Sequence, residues 1–273
     1  GARMMRLFAT DAVGVGGYQT ESGHYFEDGF DGPARYATRY RTMFGRDLAG
    51  AEHLGAVVPR MLMQRIYPVA GNADAKTQWQ NISSSVWPHS RLVADGFALA
   101  PAALQPAILW HWHRDIGGSV DAPAWARLVE GSPVEALLHY PLGMAPLPPG
   151  ERMPLTWSAS THGWQAFRNG WRGGDDIVVQ TYAKSGSPMG WGGPDAGTFR
   201  IQGLGRTWAG GNSGREVRRW SENTVRFTAD RLPMGGNGRV VAELKPAKEA
   251  TDTPSVRAAL LAMAARGDLT MGT

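Results

Sequence analysis

The sequence predicts an α+β protein in which helices come first and strands follow. Three observations carry this. In the first half, apolar residues recur at helical spacing. Beyond Gly131 the apolar runs shorten to strand length and are bounded by Gly, Asn, Asp or Pro. The two patterns do not alternate, which argues against a doubly wound fold.

Taken in order, Asp31 to Leu48 predicts a helix with Tyr36, Tyr40 and Phe44 on one face and Gly45 as its stop. Ala49 to Pro68 predicts a second helix, kinked or interrupted at Pro59. A polar, loop-like stretch follows, then "PAALQPAILWHWHRDIGG", a short helix with Pro106 near its start, and the helical "APAWARLVEG". The division is a helical region over 1–139, a Pro-rich linker over 140–155, an antiparallel sheet region over 156–250 and a helical tail over 251–273. The predicted strands lie in "WQAFRNGW", "DIVVQTYAK", "TFRIQGLG", "NTVRFTA" and "RVVAELK".

Composition narrows the function. Of 273 residues, 42% are hydrophobic, enough for a sizeable core, while 36 Gly and 18 Pro imply many turns. The formal charge of +4 favours an anionic partner, either a polyanionic sugar or nucleic acid. The densest basic cluster is only "REVRR", Arg215 to Arg219, so no nucleic-acid partner is expected. Without cysteine there is neither a disulfide nor a thiolate metal site. No apolar run approaches the roughly 20 residues of a membrane span. The first residues lack both signal-peptide form and an initiator Met, and are read as those of a processed chain or a piece of a longer protein.

"GGPDAGTFRIQGLGRTWAGG", Gly192 to Gly211, raises the question of nucleotide binding. A dinucleotide fingerprint needs a third glycine and a helix, and here Gly203-Leu204-Gly205 leads into Arg206-Thr207-Trp208. A hairpin fits better. Phe199 and Ile201 take one face, Thr198, Arg200 and Gln202 the other, Gly203 to Gly205 turn the chain, and "RTWAG" returns.

With the strand "DDIVVQTYA" before it and "REVRRWSENTVRF" after it, this stretch resembles the β-sheet domain of heparinase II/III-like polysaccharide lyases. "GWQAFRNGW" is similar to the strand that opens that domain, and "YQTESGHYFEDGF" to a segment late in the family's α/α toroid. The resemblance covers about 15–245. It implies a partial α/α toroid packed against an antiparallel β-sandwich, with an acidic polysaccharide in the cleft between them. An extracellular or periplasmic location follows from the same resemblance.

Such lyases act by β-elimination. The sugar carboxylate is neutralised, a base removes the C5 proton, and an acid protonates the departing O4. The resemblance implies Tyr25 as acid or base, with His24 neutralising the carboxylate or acting as base. Glu21 is the candidate for orienting a neighbour or binding sugar hydroxyls. Arg35 and Arg39, four apart on a helix, suit bidentate contact with a carboxylate or a solvated helix face. Trp191 and Asp195 are candidates for binding sugar. The family carries His-x-His just before its Asp-Ala-Gly segment, for catalysis and a metal. This chain has Trp191 and Gly193 there, so no metal or other cofactor is expected. His162 is a spatial substitute; His111 and His113, at a helix end, diverge instead of pairing on a metal.

Two functions compete: a lyase acting on a uronic-acid polysaccharide, and a catalytically degenerate member that binds polysaccharide or serves structurally. A hydrolase using Asp175, Asp176 and Asp195 is a third reading, with nothing in the sequence to pair them.

Overall fold

The computed structural model describes residues 1–18, 23–66, 90–116, 133–183 and 197–210, with backbone alone at 23–28, 90 and 115–116. It is α+β: helices precede a five-stranded antiparallel sheet. The predicted strands in "NTVRFTA" and "RVVAELK", the helix "APAWARLVEG" and the helical tail lie outside the described residues.

Helix α1 (Ala2–Leu7) runs on as a π-helical turn, Phe8–Val13, and ends at Gly14 with φ 66°. α2 (Gly23–Phe44) begins eight residues before the predicted start. Asp31, with Pro33 two residues on, has the sequence look of a helix start. The Asp31 carboxylate instead bonds Arg91 and the Gly32 N–H, and the helix passes through Pro33. Gly45 ends α2 as predicted, its N–H donating to the Arg41 carbonyl at 2.9 Å. The rings of Tyr36, Tyr40 and Phe44 form a ladder along one side. Among the described side chains of α2, Phe30, Ala34 and Ala37 are fully buried.

The second predicted helix is two, α3 (Ala51–Gly55) and α4 (Val57–Met63). The break falls at Ala56, not Pro59. Pro59 sits in the first turn of α4, where its missing N–H has no intrahelical partner to lose. α5 (Ser90–Phe97), eight residues long with Asp95 and Gly96 in its last turn, is not foreseen by the sequence. A Cβ on its Gly96 would come within 2.7 Å of Val58 and 3.2 Å of Phe30, so glycine lets α5 lie close on α2 and α4. α6 (Gln105–His111) has Pro106 in its first turn, as predicted, and continues as a π-helical turn, Trp112–Ile116. α7 (Pro133–His139) packs on α5.

Residues 140–155 are irregular except for a 3₁₀ turn at Pro149–Glu151, and are pinned at several points. Leu147 N–H donates to Pro106 O at 3.1 Å and Trp171 Nε1 to Pro154 O at 3.0 Å.

The sheet is a meander in chain order: β1 (Thr156–Ala159), β2 (Trp164–Arg168), β3 (Ile177–Tyr182), β4 (Thr198–Gly203) and β5 (Arg206–Ala209). The predicted hairpin is β4–β5. Leu204 and Gly205 are its two turn residues with φ 54° and 69°, the positive pair a type I′ turn demands. Thr198, Arg200 and Gln202 do face away from Phe199 and Ile201, and it is the polar set that is buried. Three rows line the inner face: Trp164–Tyr182–Thr198, Ala166–Gln180–Arg200 and Arg168–Val178–Gln202.

α4 packs against β1 and β2, and Arg168 of β2 fixes the join. Its Nη1 donates to the carbonyls of Met63 at 3.1 Å and Arg65 at 2.6 Å, closing the C-terminal end of α4. Its Nη2 reaches Asp176 Oδ2 at 3.1 Å and its guanidinium stacks 3.8 Å from the centre of Trp171. Arg168→Met leaves Asp176 buried without its cation and α4 without its cap. The expected loss is about 3–5 kcal/mol in urea unfolding; a loss below about 1 kcal/mol, the size of a surface pair, would refute the role.

Candidate functional site

The site is assembled where the segment after α1, the helix α4 and the inner face of the sheet meet. The segment "GVGG", Gly14 to Gly17, is held between the two layers. Val15 N–H donates to Thr161 Oγ1 at 2.8 Å, and Gly16 O accepts from Trp157 Nε1 at 2.9 Å. A Cβ at Gly16, whose φ is 86°, would stand 2.2 Å from the Ser158 carbonyl oxygen, so only glycine fits against β1. This grip delivers Tyr18 to the interior. Its ring stacks on Trp164 at 5.6 Å and 14°, and lies 5.3 Å from Tyr182.

Arg60 of α4 lies over the same rings, its guanidinium carbon 5.2 Å from Tyr18 and 5.5 Å from Trp164. Its Nε donates to Gly17 O at 3.2 Å and its Nη1 to Gln64 Oε1 at 2.7 Å. Gln64 Nε2 in turn donates to Gln180 Oε1 at 2.6 Å. Gln180 is the cross-strand partner of Arg200. Burial holds the Arg60 pKa down to about 9, offset in part by Tyr18, and it remains a cation at neutral pH. Tyr18, Arg60, Gln64, Gln180 and Arg200 are each at least 98% buried. A buried arginine seated on aromatic faces, in line with two amides, can hold a planar anion or stabilise developing negative charge.

The sequence-predicted residues distribute as follows. His24 and Tyr25 lie at the start of α2, with only their backbone described. Glu21, Trp191 and Asp195 lie outside the described residues. The described residues flanking these segments do converge. Tyr18 precedes Glu21 by three positions, Tyr182 ends the strand before Trp191 and Asp195, and their rings are 5.3 Å apart. Gly197 N–H, at the other end of the second segment, donates to Tyr182 O at 2.8 Å.

The carboxylate that Arg35 meets bidentately is the chain's own Asp95, at 3.0 and 3.3 Å. Arg39 bonds Glu135 at 2.7 Å, and Glu135 also lies 3.4 Å from His139. These pairs join α2, α5 and α7. His162 is buried in the β1–β2 turn, two residues before Trp164. His111 and His113 diverge as expected: His111 meets the Trp171 ring, and His113 Nε2 lies 2.6 Å from the Tyr140 hydroxyl. Asp176 is engaged by Arg168 and by the N–H groups of Arg172 and Gly173, and so is held within the fold. Among the described residues no three His, Asp or Glu side chains are grouped as metal ligands would be, and no helix is long and apolar enough to cross a membrane.

Arg60, Gln64, Gln180 and Tyr18 are absent from the sequence-based list. Their signal is a polar residue inside an apolar run, Arg60 in "VVPRMLM" and Gln180 in "IVVQTY". No family model, curated protein or solved structure matches the chain.

The ion pairs of α2 give a pH prediction. Burial pushes the Asp31 pKa up. The Arg91 hydrogen bond, the Gly32 N–H and the charges of Arg91 and Arg35 outweigh it and hold Asp31 below the usual carboxylate value. A depressed folded-state pKa contributes stability above the unfolded value, about 3.9, that is lost as pH falls through the folded one. Asp31→Asn is therefore expected to lose less stability than wild type between about pH 5 and pH 2 in urea titrations. Parallel losses in the two proteins would contradict this.

Proposed function

We propose that the protein is a polysaccharide lyase-like enzyme that cleaves a uronic-acid-containing polysaccharide by β-elimination. The observation that carries this is the buried junction of Tyr18, Tyr182 and Arg60. There the flanks of the two segments bearing Glu21, His24 and Tyr25, and Trp191 and Asp195, come together beside a buried cation. In this reading the helices are the closing part of an α/α toroid and the meander is one sheet of a β-sandwich. The enzyme works outside the cytoplasm, on an extracellular or periplasmic polymer.

The chemistry divides among few groups. Positive charge and hydrogen bonds neutralise the uronate carboxylate, which acidifies the C5 proton. His24 or Tyr25 takes that proton, the C4–O4 bond breaks to leave a C4=C5 double bond, and Tyr25 returns a proton to O4. Glu21, Trp191 and Asp195 hold the sugar. Arg35, already bonded to Asp95, contributes to the fold, while Arg39, with 63% of its side chain exposed, is available to a polymer at the rim. No metal step is needed, since Trp191 and Gly193 replace the family's histidines. That replacement also favours the second reading, a degenerate member that binds polysaccharide without cleaving it.

Incubation with heparan sulfate, hyaluronan and alginate is expected to generate the ultraviolet absorbance of an unsaturated uronate with one of them. Tyr25→Phe is expected to lower kcat at least about 100-fold, the usual contribution of a general acid or base. A flat trace with every polymer, alongside measurable binding, would establish the degenerate reading instead.

A further inference from the structure

The β4–β5 hairpin carries two groups that the buried junction does not use. Arg206 pairs with Gly203 across the hairpin, and Thr207 with the buried Gln202. By alternation Arg206 and Trp208 fall on the outer face of the sheet, which Phe199 and Ile201 share. A register shift at Ile201 and Gln202 marks a bulge beside Trp208, a device that re-aims a side chain. The indole is then fixed in place, its Nε1 donating to Gly203 O at 3.1 Å. That bond satisfies the one polar atom of the ring, while Trp208 stays 58% exposed and meets no other ring among the described residues. The Arg206 side chain is exposed as well, and its guanidinium makes no hydrogen bond or ion pair among the described residues.

We propose that Trp208 and Arg206 form a docking surface for an acidic polysaccharide, the indole stacking on a sugar ring and the guanidinium meeting its carboxylate. This rests on the acidic-polysaccharide reading above and adds a place where the polymer is held away from the reacting bond. Gly203 lies five residues along β4 from Thr198, whose row borders the junction, about 17 Å at the rise of a strand. The indole is already oriented, so little side-chain freedom is lost on binding. The charge of Arg206 and of the chain, +4, selects an anionic occupant. One cation beside one ring holds a protein poorly on an anionic membrane, where two anchoring signals are needed. A polymer repeats its carboxylates and meets the pair at every uronate.

Affinity is read from retardation of the full chain in native gels holding heparan sulfate, hyaluronan, alginate, neutral dextran or polyphosphate. At least one uronate polymer is expected to retard it, and dextran and polyphosphate are not. Trp208→Ala and Arg206→Gln are each expected to weaken that binding about tenfold. Both are expected to keep the Tm within about 3 °C of wild type, as changes at exposed side chains do. Trp208→Phe keeps a ring and is expected to bind within about threefold of wild type. The proposal is overturned if no uronate polymer retards the chain, if dextran or polyphosphate does so equally, or if Trp208→Ala or Arg206→Gln binds as wild type. Capture by phosphatidylserine vesicles that Trp208→Ala abolishes would overturn it too, assigning the surface to lipid. On a uronate tetrasaccharide, too short to need a second hold, Trp208→Ala is expected to keep the wild-type kcat; a lowered kcat there would end its separate role. Lyase activity with polymer binding independent of Trp208 removes this surface alone. Binding that depends on Trp208, without lyase activity, keeps the surface and removes the catalysis.

Discussion

One side chain sets the relation between the helices and the sheet. Arg168 leaves the inner face of β2 and is surrounded by acceptors: Gly170 O, Met63 O, Arg65 O and Asp176 Oδ2, all within 3.1 Å. Three of these are carbonyls whose positions depend on where α4 ends and where β2 turns. A guanidinium has a fixed planar fork, so it accepts only one arrangement of the two layers. The consequence reaches past the bond itself. Arg60 and Gln64 are one helical turn apart and Gln64 adjoins Met63, so holding the Met63 carbonyl also aims Gln64 at β3 and Arg60 over Trp164 of β2.

The join between the layers is therefore polar and directional. A sheet packed on helices normally buries its apolar side. Here the inner rows carry Gln180, Arg200, Gln202 and Thr198, while Phe199 is 36% exposed on the other face. Burying such groups gives little net stability, because desolvation offsets most of what the bonds return. They do fix geometry, since an amide or guanidinium is satisfied in few orientations and an apolar side chain in many.

Much of this fold is legible in the sequence, and the gaps have physical causes. Strands β2, β3 and β4 and the β4–β5 turn follow from short apolar runs bounded by Gly and Asp, which the sheet's hydrogen bonding reproduces. Alternation identifies two faces of β4 without saying which is buried; that is decided by what packs on it. α5 escapes notice because it is only eight residues long, and Asp95 and Gly96 in its last turn have the sequence look of a turn. Arg35 reads as an exposed cation because Asp95 lies sixty positions away in the chain. Of the candidate residues, Tyr25 and Asp195 stand out in the sequence through the motifs that bear them. Arg60 and Gln180 carry none, and only their place within apolar runs marks them.

The order of contacts along residues 15–18 explains how so glycine-rich a segment can deliver a side chain to a fixed point. Val15 is held through its N–H by Thr161, Gly16 through its carbonyl by Trp157, and Gly17 through its carbonyl by Arg60. Two of these holds come from the sheet region and one from α4. Each residue is fixed by a different neighbour, so the flexibility of glycine is spent on reaching the narrow space between the layers, and the native state keeps none of it. Tyr18, the next residue, then has one place to go, between Trp164 and Tyr182 and under Arg60. A larger residue at Gly16 would push the strap off β1 and move the Tyr18 ring with it. The junction thus depends on an absent side chain as much as on the buried charges around it.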